Sequence, residues 1–225
     1  MAIRNGMADL SATLDSLLRQ TLGLDCIEVI AVDGGSSDGS GQLLDQAARQ
    51  RPATVRVIHP VGLPSGPEAS HNLGLDMARG RYVMLVGAGD HLWPEALERM
   101  VRAADEYGSD VLVVSAGGTD AGRLGTEPSA QSRSDASPYA VEVATARTAP
   151  RLFRRELIER HGLRLDGEFG VASGKMFALA AGQHAARVSV LADPDHLYAV
   201  DTAKMPRAAS TALDRMFGLL RFTES

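Results

Sequence analysis

The stretch Arg81–Leu97, RYVMLVGAGDHLWPEAL, decides the fold that this sequence predicts. Its apolar run Tyr82–Val86 is bounded by glycine, and such a run of β-forming residues predicts a buried strand. A Gly-Ala-Gly turn then leads to a single carboxylate, Asp90, and Pro94 suits the first turn of a helix. Because open α/β sheets bind ligands at the carboxyl ends of their strands, Asp90 occupies a position typical of a functional site.

Strands and helices alternate on both sides of this stretch. Apolar runs predict further strands over Ile27–Val32, Val55–Ile58 and Val111–Val114. Apolar residues at helical spacing predict helices over Asp9–Gln20, up to about Gln50, over Glu68–Ala78 and over Pro94–Tyr107. Short links between these elements predict βαβ units. We therefore expect an α/β fold with a mainly parallel sheet flanked by helices.

The second part of the chain begins where this alternation stops. Residues 115–138 are rich in glycine, serine, proline and charge, which predicts a flexible loop. Beyond it we expect a basic helix over Arg151–Arg160, a short helix over Lys175–Ala181 and a strand over Arg187–Leu191. Apolar residues at helical spacing between about 207 and 222 predict a C-terminal helical tail.

Composition excludes several classes of function. A net charge of −5 lacks the clustered positive charge of a nucleic-acid-binding protein. One cysteine, Cys26, excludes an internal disulfide and favours a cytoplasmic location, and its apolar surroundings predict a buried, inert thiol. The first ten residues have no apolar core of a signal peptide, and no apolar stretch reaches the roughly 20 residues of a membrane span. Peripheral attachment to a membrane stays open.

Several segments together resemble a known family. SATLDSLLRQTL (11–22), IEVIAVDGGSSDGS (27–40) and EASHNLGLDMARGRYVMLVGAGDHLWPEALERM (68–100) resemble the amino-terminal half of inverting family-2 glycosyltransferases, which have the GT-A fold. RLFRRELIERHGLRL (151–165) and RVSVLADPDHLY (187–198) resemble the acceptor-side half of bacterial members that build cell-wall polymers and polysaccharides. The resemblance implies a GT-A domain over 1–200, with a nucleotide-binding half (1–114), the loop (115–138) and an acceptor-side half (139–200), followed by the tail (201–225).

The resemblance also implies ligands and site residues. It implies a nucleoside-diphosphate-sugar donor, a hydroxyl acceptor on a glycan or wall polymer, and Mn²⁺ or Mg²⁺ as cofactor. The residues that match nucleotide-binding positions of the family are Asn5, Asp33, His71 and Asn72, with His71 in place of the usual arginine. Asp90 matches the last acid of the metal-binding motif. A divalent ion is commonly held by one or two carboxylates plus substrate phosphates, so Asp90 alone is compatible with metal binding.

Acids of the family pattern are missing at three places. Gly34 stands where members carry a base-contacting acid, and Gly87 and Gly89 replace acids of the metal motif. Ser173-Gly174 falls where the acidic pair with the general base is expected, and a serine hydroxyl does not accept a proton near neutral pH. Asp166 and Glu168 are the remaining candidates for a general base, and the alternative for both is an ordinary loop acid.

Each candidate residue has a plainer alternative. Asp90 could be a solvated turn residue or a helix N-cap, and Asp33 could cap its glycine-rich turn. His71 could help hold a phosphate if protonated, or could be an ordinary histidine on a helix surface. The arginines Arg151, Arg154 and Arg155 could meet anionic acceptors or lipid headgroups, or form a solvated helix face. The sequence therefore supports two hypotheses: a sugar-transferring enzyme, or a catalytically degraded GT-A module that acts as a binding or partner-stabilising domain.

Overall fold

The computed structural model describes residues 1–62, 66–116, 131–138, 150–193 and 198–199. The strands within these ranges are β1 (Ala2–Ile3), β2 (Val29–Asp33), β3 (Val55–Ile58), β4 (Tyr82–Val83), β5 (His91–Leu92), β6 (Val111–Ala116), β7 (Arg151–Arg154), β8 (Val188–Asp193) and β9 (Tyr198–Ala199). The α-helices are α1 (Met7–Leu18), α2 (Ser40–Gln50), α3 (Pro67–Met77), α4 (Ala96–Tyr107), α5 (Arg155–Arg160) and α6 (Ser173–His184), with 3₁₀ turns at Leu24–Cys26 and Gly167–Ala172. Most of the predicted loop, part of the acceptor-side half and the whole predicted tail (201–225) lie outside the described residues.

The strands form two main sheets and one short ladder. β1, β2 and β3 are parallel, with β2 in the middle. The second sheet has the order β4-β7-β6-β8, in which β6 and β8 are parallel and β7 runs antiparallel to both of its neighbours. β5 and β9 pair antiparallel. The α/β class with parallel pairing and flanking helices confirms the fold class predicted from the sequence.

β1 and β4, which are edge strands of the two main sheets, have two residues each. β1 pairs with β2 through Ala2 and Ile3, and the predicted strand Tyr82–Val86 is correct only for Tyr82–Val83. No ladder among the described residues joins the two main sheets. A cavity of about 560 Å³ lies near the amino ends of β2 and β4, and it is lined by apolar side chains that include Leu17, Ile30 and Leu97.

Apolar clusters cover both main sheets. Leu10, Leu14 and Leu17 of α1 pack with β2 and with Leu44 of α2. In the other sheet, Phe153 of β7 meets Phe177 of α6 edge to face, with ring centroids 5.1 Å apart. Within the described ranges, no helix is both long enough and apolar enough to cross a membrane.

Two sequence-based predictions are wrong. The basic segment Arg151–Arg160 is not one helix: Leu152 and Phe153 are buried in β7, where they pair with β6, and α5 begins only at Arg155. Arg151 and Arg154 therefore lie in a strand and share no helix face with Arg155, and Arg154 pairs with Asp110 at 3.1 Å. Cys26 is exposed rather than buried, because it lies in the 3₁₀ turn before β2 and not in the strand itself.

Candidate functional site

Asp33 is the last residue of β2 and is almost fully buried, with 5% of its surface exposed. Its Oδ1 accepts hydrogen bonds from the Ser36 backbone N–H at 2.9 Å and from the Ser36 hydroxyl at 2.6 Å. The carboxylate therefore caps its own glycine-rich turn, which is the plainer of the two roles expected for it. A nucleotide contact by Asp33 stays a prediction.

The connection between β1 and α1 is fastened to this turn. Asn5 adopts the left-handed region at φ 54°, its Oδ1 accepts from the Ser37 N–H at 2.9 Å, and its own N–H donates to the Ser36 hydroxyl at 3.0 Å. Asp38 bridges two helix starts, because its carboxylate accepts from the backbone N–H groups of Met7 and Ser40. The hydrogen bond from the Ser40 hydroxyl is the largest of the contacts that lower the pKa of Asp38. Asn5 thus shapes the loop that follows Asp33.

Asp90 closes a tight turn beside the Asn5 segment. Its Oδ2 accepts from the Gly87 N–H at 2.6 Å, while its own N–H donates to the Gly87 carbonyl at 3.3 Å. A Cβ added to Gly6 would come within 2.8 Å of the Ala88 side chain, so this turn packs directly on the connection between β1 and α1. The segments that carry Asn5, Asp33 and Asp90 are therefore contiguous.

Metal binding in this region would rest on Asp90. Across the described ranges, no three His, Cys, Asp or Glu side chains lie close enough together to hold a metal ion. This arrangement does not fit a site built from protein ligands alone. It does fit a Mg²⁺ or Mn²⁺ ion that takes one carboxylate from the protein and its other ligands from phosphate and water.

His71 and Asn72 lie next to each other on α3 but have different surroundings. Desolvation of the half-buried ring lowers the pKa of His71 to about 4, so the ring is neutral near pH 7. The Asn72 side chain holds the backbone of Leu165: its Nδ2 donates to the Leu165 carbonyl at 2.8 Å, and its Oδ1 accepts from the Leu165 N–H at 2.9 Å. Asn72 therefore connects α3 to the segment that carries Asp166.

The candidate bases lie on an exposed turn after Leu165. Asp166 Oδ1 accepts from the Glu168 N–H at 2.9 Å and caps the 3₁₀ turn, and both residues are exposed. Ser173, where the family pattern places an acid, starts α6 and is 2% exposed, and its buried hydroxyl has no hydrogen-bond partner among the described residues. Gly174 is exposed, and a Cβ added there would meet no atom within 4 Å.

His59 lies beside Asp33, although no sequence motif pointed to it. This residue follows β3 directly. The β2–β3 register pairs Val32 with Ile58, so the residues that follow this pair, Asp33 and His59, lie side by side. Its Nδ1 lies 3.3 Å from Asp33 Oδ2, and its Nε2 lies 2.9 Å from Asp45 Oδ1 on α2. The sequence did hold one indication of its role: a titratable residue directly follows the strand next to β2.

The geometry and the sequence agree with one protein class. The family model described as glycosyl transferase family 2 matches residues 1–180. The chain belongs to this family.

A sequence relative and two solved structures support the same class. The poly(ribitol-phosphate) beta-glucosyltransferase of Bacillus spizizenii is 27% identical over 191 residues, which make up 85% of this chain and 30% of that protein. The crystal structure of S. aureus TarS 1-349 in complex with UDP matches with a TM-score of 0.74 at 23% identity, over 85% of this chain and 56% of that one. The mannosyltransferase PcManGT from Pyrobaculum calidifontis, in complex with GDP-Man and Mn²⁺, matches with a TM-score of 0.57 at 19% identity, over 87% of this chain and 56% of that one.

These similarities show the GT-A fold that the resemblance implied. The chain spans between 30% and 55% of the length of the first curated relatives that it matches.

Proposed function

We propose that this chain transfers a sugar from a nucleoside diphosphate to a hydroxyl of a glycan or cell-wall polymer, with inversion at the anomeric carbon. The observation that carries the proposal is the contact between three segments, which holds Asn5, Asp33 and Asp90 at one end of the first sheet. Ligands of open α/β sheets bind at this end. Residues 1–114 would form the nucleotide-binding half and residues 139–200 the acceptor-side half.

The donor would lie across the Asn5, Asp33 and Asp90 segments. Asp33 Oδ2 would accept a hydrogen bond from the base or ribose, because Oδ1 already serves the turn. The diphosphate would lie toward Asp90. His71 would line this region as a neutral ring, since its pKa of about 4 keeps it uncharged. UDP is the natural first probe, because TarS, which shares the fold, binds it.

A divalent cation would be held by Asp90 together with the donor diphosphate. Bound there, Mn²⁺ or Mg²⁺ would neutralise negative charge on the leaving diphosphate. One carboxylate neutralises less charge than two, so we expect nucleotide affinity on the order of 10⁻⁴ M, about 5 kcal/mol of binding. The Mn²⁺ bound with GDP-Man in PcManGT supports this choice of metal.

Inversion requires direct displacement by the acceptor. The acceptor oxygen forms a bond to the anomeric carbon while the bond from that carbon to the diphosphate oxygen breaks, and the acceptor proton passes to a general base. Asp166 and Glu168 are our candidates for that base, and a positioned base contributes typically 10²–10⁴-fold. Asn72 would act as a positioning residue for this turn through Leu165.

The alternative is a GT-A module that binds nucleotide without transfer. The observation that favours it is Ser173, a buried hydroxyl at the position where the family pattern has an acid. The family relatives carry names of transferases, which favours the enzyme. A cytoplasmic location remains a prediction from the sequence, and peripheral membrane association stays open.

Calorimetry with UDP, with and without MnCl₂, tests the proposal. We expect Mn²⁺ to strengthen UDP binding and Asp90→Ala to abolish that increment, while Asp15→Ala, which removes an exposed acid of α1, leaves it unchanged. A transfer assay with UDP-sugars then separates the enzyme from the alternative. Absence of UDP binding under both conditions, together with no effect of Asp90→Ala, would overturn the proposal.

A further inference from the structure

We propose that His59 is a positioning residue for Asp33 and makes nucleotide binding depend on pH. This inference rests on the proposed function, because Asp33 is there the residue that contacts the base or ribose. His59 would touch neither the nucleotide nor the acceptor. Its role would be to fix the one carboxylate oxygen of Asp33 that the turn leaves available.

The position of His59 is set by the sheet. β2 and β3 run parallel, and the residues that follow their last common pair are Asp33 and His59. The imidazole Nδ1 is 3.3 Å from Asp33 Oδ2, whereas Ser36 binds Asp33 Oδ1 twice. His59 and Ser36 therefore hold the carboxylate from both of its oxygens and fix its orientation.

Helix α2 closes this arrangement from the third side. A Cβ added to Gly41 would lie 2.7 Å from Asp33 Oδ2 and 3.4 Å from His59 Cε1, so the first turn of α2 packs against both groups. Asp45, one turn further along α2, lies 2.9 Å from His59 Nε2. In the described part of the chain, the charged groups that contact His59 are thus Asp33 from β2 and Asp45 from α2.

The number of N–H donors on the imidazole couples this cluster to pH. A protonated ring donates from both nitrogens and can hold Asp33 and Asp45 together, whereas a neutral ring has only one donor. The neutral ring would keep the shorter contact, to Asp45, and leave Asp33 Oδ2 without its donor. The hydrogen bond with Asp45 is the largest cause that raises the pKa of His59, so the charged form persists to higher pH than for a free histidine.

The protonated state should favour the nucleotide for two reasons. Asp33 keeps a fixed orientation, and the positive charge on His59 offsets the carboxylate charge near a polyanionic ligand. Above the pKa of His59, both advantages are lost. UDP should therefore bind more weakly as the pH rises through that pKa.

The test compares UDP affinity of the native chain, His59→Gln and His184→Gln between pH 5.5 and 8.5. The ligand phosphate titrates in the same range, so the quantity to follow is the ratio of native to variant affinity, in which ligand ionisation cancels. We expect His59→Gln to bind UDP about three- to tenfold more weakly at low pH and nearly as well as the native chain at high pH. His184→Gln removes an exposed histidine from α6 and should keep the native profile.

A second test needs no ligand and follows the ionisation of His59 itself. NMR titration of the His59 imidazole should give a lower pKa in Asp33→Asn and in Asp45→Asn than in the native chain. Two results would overturn this inference and leave the proposed function standing. One is that His59→Gln binds UDP with the same pH dependence as the native chain, and the other is that Asp33→Asn leaves the pKa of His59 unchanged. If the native chain binds no UDP at any pH, the proposed function itself fails, and the role of His59 toward a nucleotide fails with it.

Discussion

Asn72 and Leu165 are joined by a reciprocal pair of hydrogen bonds, at 2.8 and 2.9 Å, between the side-chain amide of one and the backbone of the other. A second link between the same elements is the ion pair of Arg164 with Asp76 at 2.6 Å. Both the nitrogen and the oxygen of the Asn72 side-chain amide are used in this contact, so the side chain holds the backbone of the 163–168 segment in place. This geometry favours a positioning role over direct nucleotide contact.

We expect Asn72→Ala to reduce stability and transfer more than nucleotide binding. Loss of two hydrogen bonds to a partly buried backbone should cost roughly 1–3 kcal/mol of unfolding free energy. Urea denaturation measures that cost, and calorimetry should give a UDP affinity within about twofold of the native value. If UDP binding is lost while stability is unchanged, Asn72 contacts the nucleotide as the sequence suggested.

Gly34→Asp should strengthen UDP binding by several-fold. A Cβ at Gly34 would meet Ser70 Oγ at 3.5 Å and the Ile3 carbonyl at 3.6 Å, which are ordinary contacts, so a carboxylate can be added beside Asp33. Gly35→Asp is the matched control, because Gly35 has φ +88° and a side chain there is strained. Equal UDP affinities of native chain and Gly34→Asp would argue against a base contact at this position.

His71 should make the protein less stable in acid. Its pKa is about 4 in the folded chain and 6.5 in the unfolded one, so the unfolded chain takes up the proton first as the pH falls below 6.5. Stability is therefore full above pH 6.5 and is lost toward pH 4, by roughly 2–3 kcal/mol for this group. Urea denaturation across this range should show a shallower loss for His71→Gln than for His184→Gln. Parallel curves would contradict a buried neutral His71.

Gly174→Asp should raise transfer activity if the missing acid limits the reaction. The site is exposed and open, so the substitution should leave stability nearly unchanged. Ser173→Asp is the instructive comparison, because that position is 2% exposed and an uncompensated carboxylate there should destabilise the fold. A transfer assay with UDP-sugars measures the gain. No gain in Gly174→Asp, with activity lost in Asp166→Asn, would assign the base to Asp166.

The sequence predicted the fold where local pattern is enough. The apolar runs before Asp33 and His59 predicted β2 and β3 within two residues, because buried strands leave a clear signature of β-branched residues. The prediction of a helix was wrong at Arg151–Arg154, since a short strand flanked by arginines resembles a charged helix unless the partner strand is known. In the folded chain the Arg154 guanidinium pairs with Asp110 and donates to the Ser109 carbonyl.

The site was less predictable, since its contacts join distant parts of the chain. Asn72 and Leu165 are 93 residues apart, and no local spacing connects them. The contact of His59 with Asp33 depends on the β2–β3 register, which emerges only when the sheet is assembled. The family resemblance did supply Asn5, Asp33 and Asp90, and the structure places their segments in contact.

The boundary between the two main sheets bears on how the molecule opens. Among the described residues, no backbone ladder crosses from β1–β3 to β4, so the two sheets communicate through side chains. Leu17 and Leu97, from α1 and α4, line the cavity at that boundary. Amide hydrogen exchange should therefore resolve two cooperative units, one built on β2 and the other on β6 and β8. Helix α3 would couple the two units, because it packs against β1 and β2 while its Asn72 binds the backbone of Leu165, next to the Asp166 turn.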